Sequence, residues 1–174
     1  MHGGPAKTRS TRGTRPLANA SSVVNLTATA TASSVRFDHS SRDYTVTGSA
    51  ISAGRLIKEG TGTLTLSGAN TLVGGSNLAG GRVRVGNNAA LGSTVIELNG
   101  SNLSAADGTA RILANPLQFR QDGAALGHAI DNGQLTFNGA VNTTAQGHPV
   151  PVGYGRLIVG SAVISAGIDV DEIA

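Results

Sequence analysis

The stretch Leu56–Gly92, LIKEGTGTLTLSGANTLVGGSNLAGGRVRVGNNAALG, constrains the fold more than any other part of the chain. It holds three short alternating runs, Thr63-Leu64-Thr65-Leu66, Ser76-Asn77-Leu78 and Arg82-Val83-Arg84-Val85. Alternation sends successive side chains to opposite faces of a sheet, the signature of a strand lying half in core and half in water. Leu64 and Leu66 are therefore expected to point inward, with Thr63 and Thr65 outward. Between the runs stand Gly60, Gly62, Gly68, Asn70, Gly74, Gly75, Gly80, Gly81, Gly86, Asn87 and Asn88. These residue types let a chain corner tightly. No run is long enough for a helix, so the stretch is either a coil of stacked strands or a meander of hairpins.

The spacing of similar corners bears on that choice. A strand runs into a glycine corner at YTVTGSA, LTLSGAN, IELNGSN, LTFNGAV and LIVGSAV. The glycines are Gly48, Gly68, Gly100, Gly139 and Gly160, at steps of 20, 32, 39 and 21 residues. The short steps fit one coil each, and the longer ones fit one to two coils with insertions at corners. A hairpin sandwich, with strands starting roughly every 8–12 residues, also fits parts of the pattern. The self-similar corner favours the coil.

Composition points the same way. Aromatic residues make up 3% of the chain and Trp is absent, so Leu, Val, Ile, Ala, Thr, Ser and Gly must build the core. Small residues suit coils stacked about 4.8 Å apart. The 25 glycines follow no Gly-X-Y period, which excludes collagen. With no cysteine there is no disulfide scaffold and no thiolate metal site.

The quoted residues also carry a resemblance. Lys58-Glu59-Gly60-Thr61-Gly62-Thr63-Leu64-Thr65-Leu66-Ser67-Gly68-Ala69-Asn70-Thr71, then Gly74-Gly75 and Ala89-Ala90-Leu91-Gly92, resemble the autotransporter-associated β-strand repeat of bacterial passenger regions. Ser34-Val35-Arg36-Phe37-Asp38 and Tyr44 to Ile51 resemble what lies upstream of that core. The likeness is close over residues 34–105 and looser over 106–140. It departs at Leu72, where the family usually has an aromatic residue. The resemblance implies an all-β, right-handed parallel β-helix, exported across a bacterial outer membrane.

The ends read differently. Residues 1–22 are polar, with Lys7, Arg9, Arg12 and Arg15 and no apolar period, and are expected to form a disordered basic tail. Their charge accounts for the formal net +3. Four bases spread out without aromatics make a poor nucleic-acid footprint, which argues against that partner. Leu17-Ala18-Asn19-Ala20 is too short for the apolar core of a secretory signal, and the chain reads as a fragment. Residues 23–165 are expected to form the solenoid, with its repeat core at 56–92. Residues 166–174, bearing Asp169, Asp171 and Glu172, form an acidic tail. Leu157-Ile158-Val159 and Ala162-Val163-Ile164 do not read as a polar cap, so self-association through that end is expected.

No catalytic, cofactor or metal site emerges. Asp38, His39, Ser40 and Ser41 hold the letters of a hydrolytic triad, but neighbours on a strand face opposite sides. His2, His128 and His148 lack metal-ligand spacing. Asp107, Asp122 and Asp131 could align on one face as polysaccharide-cleaving carboxylates do, yet each adjoins Gly or Asn, as turn residues do. Asp169, Asp171 and Glu172 lack the glycine and bidentate glutamate of a calcium loop. Asn70, Asn87 and Asn88 are expected to ladder between coils and satisfy corner backbone groups. Asn25 and Asn142 match a eukaryotic glycosylation pattern that carries no weight in a bacterial protein. The function expected is a structural stalk segment of an exported autotransporter passenger, supporting folding and surface display in an adhesin-like way, and not an enzyme. Its partners would be neighbouring coils of a longer passenger, a membrane β-barrel, and host or cell-surface ligands. A β-helical carbohydrate-binding or carbohydrate-cleaving protein is the alternative.

Overall fold

The computed structural model describes residues 22–120, 125–126, 135–142 and 157–159. The expected tails at 1–22 and 166–174 fall outside these residues save for Ser22, as do Asp122, Asp131, Gly160, His2, His128 and His148. All regular structure among them is strand.

In chain order the first coil holds β1 (Val23–Leu26) and β2 (Ala30–Asp38), and the second β3 (Tyr44–Gly48) and β4 (Ile51–Glu59). The third holds β5 (Thr63–Leu66), β6 (Thr71–Leu72) and β7 (Ser76–Leu78); the fourth holds β8 (Arg82–Val85) and β9 (Ile96–Leu98). Then follow β10 (Asn102–Ala105), β11 (Arg111–Leu113) and β12 (Leu117–Phe119), and β13 (Ala125–Leu126), β14 (Leu135–Phe137) and β15 (Val141–Asn142). The last is β16 (Leu157–Val159).

Every strand pairing among the described residues is parallel, which rules out a hairpin sandwich there. The chain is a parallel β-solenoid with three faces. Face A stacks β1, β3, β5, β8, β10 and β13. Face B stacks β2, β4, β7, β9, β12 and β15. Face C, between them along the chain, stacks β11, β14 and β16, and in the early coils the first halves of β2 and β4 with β6.

Register gives the true period. On face A, Val46, Leu66, Val85 and Ala105 share one position, so successive coils take 20, 19 and 20 residues. On face B, Leu56, Ser76, Ile96 and Leu117 give 20, 20 and 21. The longer corner steps expected from sequence therefore do not reflect insertions in these coils. Gly48 and Gly68 occupy the same corner, after face A, one coil apart. Gly100 lies between β9 and β10, at the corner from face B to face A, and Gly139 lies between β14 and β15, at the corner from C to B. The similar heptads are cut from three different corners, each demanding a strand that stops at a residue free to turn. Extra length appears on either side of these coils: Val24 and Val46 are 22 residues apart in register, and Leu113 and Phe137 are 24 apart.

The core is a set of vertical ladders. Leu64, Leu66, Val83, Val85, Leu103 and Ala105 are fully buried on face A, while Thr63 and Thr65 lie on the outer side, as the alternation requires. Leu78 and Leu98 do the same for face B, and Leu72, Leu113 and Phe137 for face C. Each buried Leu or Val contributes about 1.5–3 kcal/mol. The ladders are why small aliphatic residues suffice: each side chain meets its like one strand away.

Candidate functional site

Three places on the solenoid concentrate polar chemistry: the corner from face B to face A, an elbow on face C, and the outer side of face B.

Lys58 makes the first. It sits in the inward register line Phe37, Lys58, Leu78, Leu98, Phe119, and is fully buried amid hydrocarbon. Its Nζ reaches the corner, where it donates to the carbonyls of Glu59 (2.6 Å), Gly60 (3.0 Å) and Gly80 (3.3 Å). One ammonium thus ties the corner of its own coil to that of the next. Burial pushes its pKa below the usual 10.5, against the opposing pull of Asp38 and Asp43. The corner needs glycine: Gly60 has φ +70° and Gly81 φ +64°, and a side chain on Gly81 would meet the Gly62 and Gly60 carbonyl oxygens at 2.5 and 2.7 Å.

The residues with triad letters belong to the corner below. His39 Nδ1 lies 2.6 Å from the Arg42 carbonyl, so Nδ1 carries the proton and donates. The ring stands edge-on to Tyr44, with centroids 4.9 Å apart. Asp38 pairs with Arg36, and Ser40 accepts from the Thr61 amide at 3.3 Å, on the next coil. His39 thus closes its turn, Ser40 joins the next coil and Asp38 pairs along its own strand, so no charge relay is assembled among them.

The elbow is where coil four departs from the strand pattern. Asn88 to Thr94 turn inward at the position where β6 and β11 stand below and above, burying Ala90 and Leu91. Two buried asparagines from the flanking coils hold the elbow. Asn70 accepts from the Ile51 amide (2.8 Å) and donates to the Ala90 carbonyl (2.7 Å), so it spans three coils. Asn115 donates to the carbonyls of Leu91 (3.1 Å) and Thr94 (2.6 Å). Asn88 accepts from the Ile112 amide (3.0 Å), while Asn87 only closes a local turn onto the Ala89 amide. The expected asparagine ladder is thus replaced by asparagines that each bond backbone, from different corner positions. Where the elbow recedes it leaves an open groove of about 400 Å³, lined by Leu72, Val73, Ile112 and Ala114 with the hydroxyls and amides of Thr71, Asn88, Ser93 and Thr94. None of the residues lining it is ionisable.

On face B the outer side carries ion pairs from coil to coil: Arg36 with Glu59, and both Arg55 and Arg120 with Glu97. Arg36, Arg55 and Arg120 are well exposed, so these pairs contribute little stability. Asp107, the described member of the three candidate acids, accepts from the Thr109 amide (3.0 Å) and pairs with Arg111 (2.7 Å). The Thr109 amide, with Arg111 and Arg84 nearby, lowers its pKa. It is a turn carboxylate. Among the described residues no group of three or more His, Asp or Glu stands together as a metal would require.

Lys58 and Asn115 were the informative residues not singled out from sequence. Lys58 stands in phase with Leu56, two residues back, so the alternation marked it as inward. Asn115 lies next to Pro116, which reads simply as a stop.

Comparison with known proteins adds the following. Residues 56–85 match the passenger-associated-transport-repeat family, so this stretch is an autotransporter passenger repeat. Over 36 residues the chain is 58% identical to tail tip assembly protein I of Escherichia phage N15, covering 21% of this chain and 19% of that protein. The chain thus spans about a fifth of the length of the curated relative it matches. No solved structure gives a significant match. Repeat and solenoid together describe a passenger-like structural protein.

Proposed function

We propose that this chain is a stalk segment of an exported bacterial autotransporter passenger, located at the cell surface or released from it. There it supports passenger folding and adhesin-like display. The observation that carries this reading is the fit between repeat and coil. The matched residues 56–85 run from the face B half of β4 to the end of β8 and so enclose one complete coil with its Lys58 corner. A coil of about 20 residues needs only the coil before it as a template, so such a chain can fold stepwise from one end. Its neighbours are further coils of a longer passenger and a membrane β-barrel, and its ligands are on host or cell surfaces. It acts as a scaffold and not as an enzyme.

The test is a fusion of the full chain, epitope-tagged, between a secretory signal and an outer-membrane β-barrel. Surface protease should remove the tag from intact cells, and Leu66→Asp should slow its arrival. A tag retained inside the cell envelope overturns the proposal.

The groove at the elbow favours a second reading, carbohydrate binding, since hydroxyls and amides there sit beside aliphatic walls. Its lining holds no carboxylate pair, so it favours binding over cleavage. Incubation with polysaccharides, reading both retention and reducing-end release, separates this reading from the first.

A further inference from the structure

The groove on face C lies between two described coils and not at an end of the stack. Its aliphatic walls are Val73 from the coil below and Ile112 from the coil above, 73% and 49% exposed. Beside them stand exposed polar groups, the hydroxyls of Thr71 and Ser93 and the amide of Asn88. The Asn88 amide has a settled orientation. Its Oδ1 accepts from the Ile112 amide at 3.0 Å, which leaves the Nδ2 donors for another partner. Among the described residues no hydrogen bond engages that Nδ2 or either hydroxyl.

The same contacts exclude two kinds of ligand. An extended peptide would need the strand edges of β6 and β11. The Leu72 carbonyl already accepts from the Thr94 hydroxyl, and the Ile112 amide already donates to Asn88. The elbow backbone also occupies the level that such a strand would take: a Cβ on Gly92 would lie 3.0 Å from the Leu72 amide nitrogen. A charged ligand gains nothing either, since none of the lining residues is ionisable. Arg111, next to Ile112, has a side chain only 14% exposed and is paired with Asp107 at 2.7 Å. What remains is a ligand without charge that offers hydroxyls to the polar groups and C–H faces to the walls. A groove of about 400 Å³ is toward the small end of ligand sites, which run roughly 300–1,000 Å³, and suits a short saccharide.

We propose that the elbow groove binds a neutral glycan, one or two sugar units at a time, between Val73 and Ile112, with Asn88 Nδ2 donating to a sugar hydroxyl. This rests on the carbohydrate-binding reading and narrows it to uncharged sugars at this one place. With no aromatic ring to stack on, the affinity for a disaccharide is in the millimolar range.

Amide chemical shifts of the full chain, followed by NMR during titration, test it. The probes are cellobiose, maltose and lactose as neutral disaccharides, digalacturonate as an acidic one, and a short alternating Val-Thr peptide. A neutral disaccharide should shift the amides of Thr71–Val73, Asn88–Thr94 and Ile112 saturably. Asn88→Asp keeps the acceptor for the Ile112 amide and removes the Nδ2 donors, so it should weaken binding about fivefold or more while the fold stands. Ile112→Ser, at an exposed position, should weaken it similarly by removing one wall. Thr65→Asp adds the same charge on face A and should leave binding unchanged. Binding of digalacturonate alone, neutral binding at amides away from the groove, or neutral binding that both groove variants leave intact overturns the proposal while carbohydrate binding stands. Groove shifts caused by the peptide overturn it in favour of a protein partner. If no saccharide shifts any amide and no polysaccharide retains the chain, this proposal and the carbohydrate reading fall together; retention without groove shifts removes this proposal alone.

Discussion

Replacing Lys58 by Met tests whether a buried cation holds consecutive corners together. Met keeps the length and the hydrocarbon of the side chain, so the inward ladder between Phe37 and Leu78 stays filled. What is lost is three bonds from a charged donor, to Glu59, Gly60 and Gly80. Hydrogen bonds to charged groups contribute roughly 1.5–3 kcal/mol each. Against this stands the cost of desolvating an ammonium, several kcal/mol. The difference leaves a net loss of about 2–4 kcal/mol, or roughly 4–16 °C in melting temperature for a chain of this size. Leu78→Met, one coil up in the same ladder, is the control and should cost under about 1.5 kcal/mol. The pH dependence has a definite sign. Because the folded state lowers the Lys58 pKa, the unfolded chain binds more protons between the folded pKa and 10.5, and stability from this group rises with pH across that window. Thermal melts of wild type and Lys58→Met at several pH values should therefore diverge in favour of the wild type on the alkaline side. A Met variant as stable as the wild type, or a gap that narrows as pH rises toward 10.5, refutes the reasoning.

Three further outcomes are expected. Leu66→Asp buries an unpaired carboxylate and should cost several kcal/mol, whereas Thr65→Asp, on the outer side, should be tolerated; equal melting temperatures would mean the register is wrong. Asn70→Ala removes the bonds to Ile51 and Ala90 and should destabilise by about 2–3 kcal/mol in urea unfolding, and an unchanged midpoint would show that the elbow stands without it. Ser76 is buried with a hydroxyl that finds no partner, so Ser76→Ala should raise stability by about 1 kcal/mol in the same assay, and a loss of that size would reveal a bond its hydroxyl makes.

Face A was the most legible part of the molecule because its strands obey the simplest rule. Thr63-Leu64-Thr65-Leu66 and Arg82-Val83-Arg84-Val85 alternate without exception, and the structure stacks them in the register that alternation alone would choose. The corners were legible in kind and not in identity. Gly68, Gly100 and Gly139 look alike in sequence because each follows a strand, yet which corner a glycine turns depends on how many faces the chain has already crossed. Counting from one such glycine to the next therefore mixed coils with fractions of coils. Face C shows the deeper reason. At the elbow the local sequence Asn88-Ala89-Ala90-Leu91-Gly92 has no strand pattern, and what holds it in place is Asn70 from the coil before and Asn115 from the coil after. A residue that acts across about 20 positions leaves no signal in its own neighbourhood. The same holds for Lys58: alternation says that it points inward, but its third partner, Gly80, becomes visible only once the next coil is laid on top. Sidedness in this solenoid is thus written locally. The polar groups that bind one coil to the next appear only in the stack, which is why the corners and the elbow, rather than the strands, are where substitutions will discriminate between a chain that merely forms strands and one that winds.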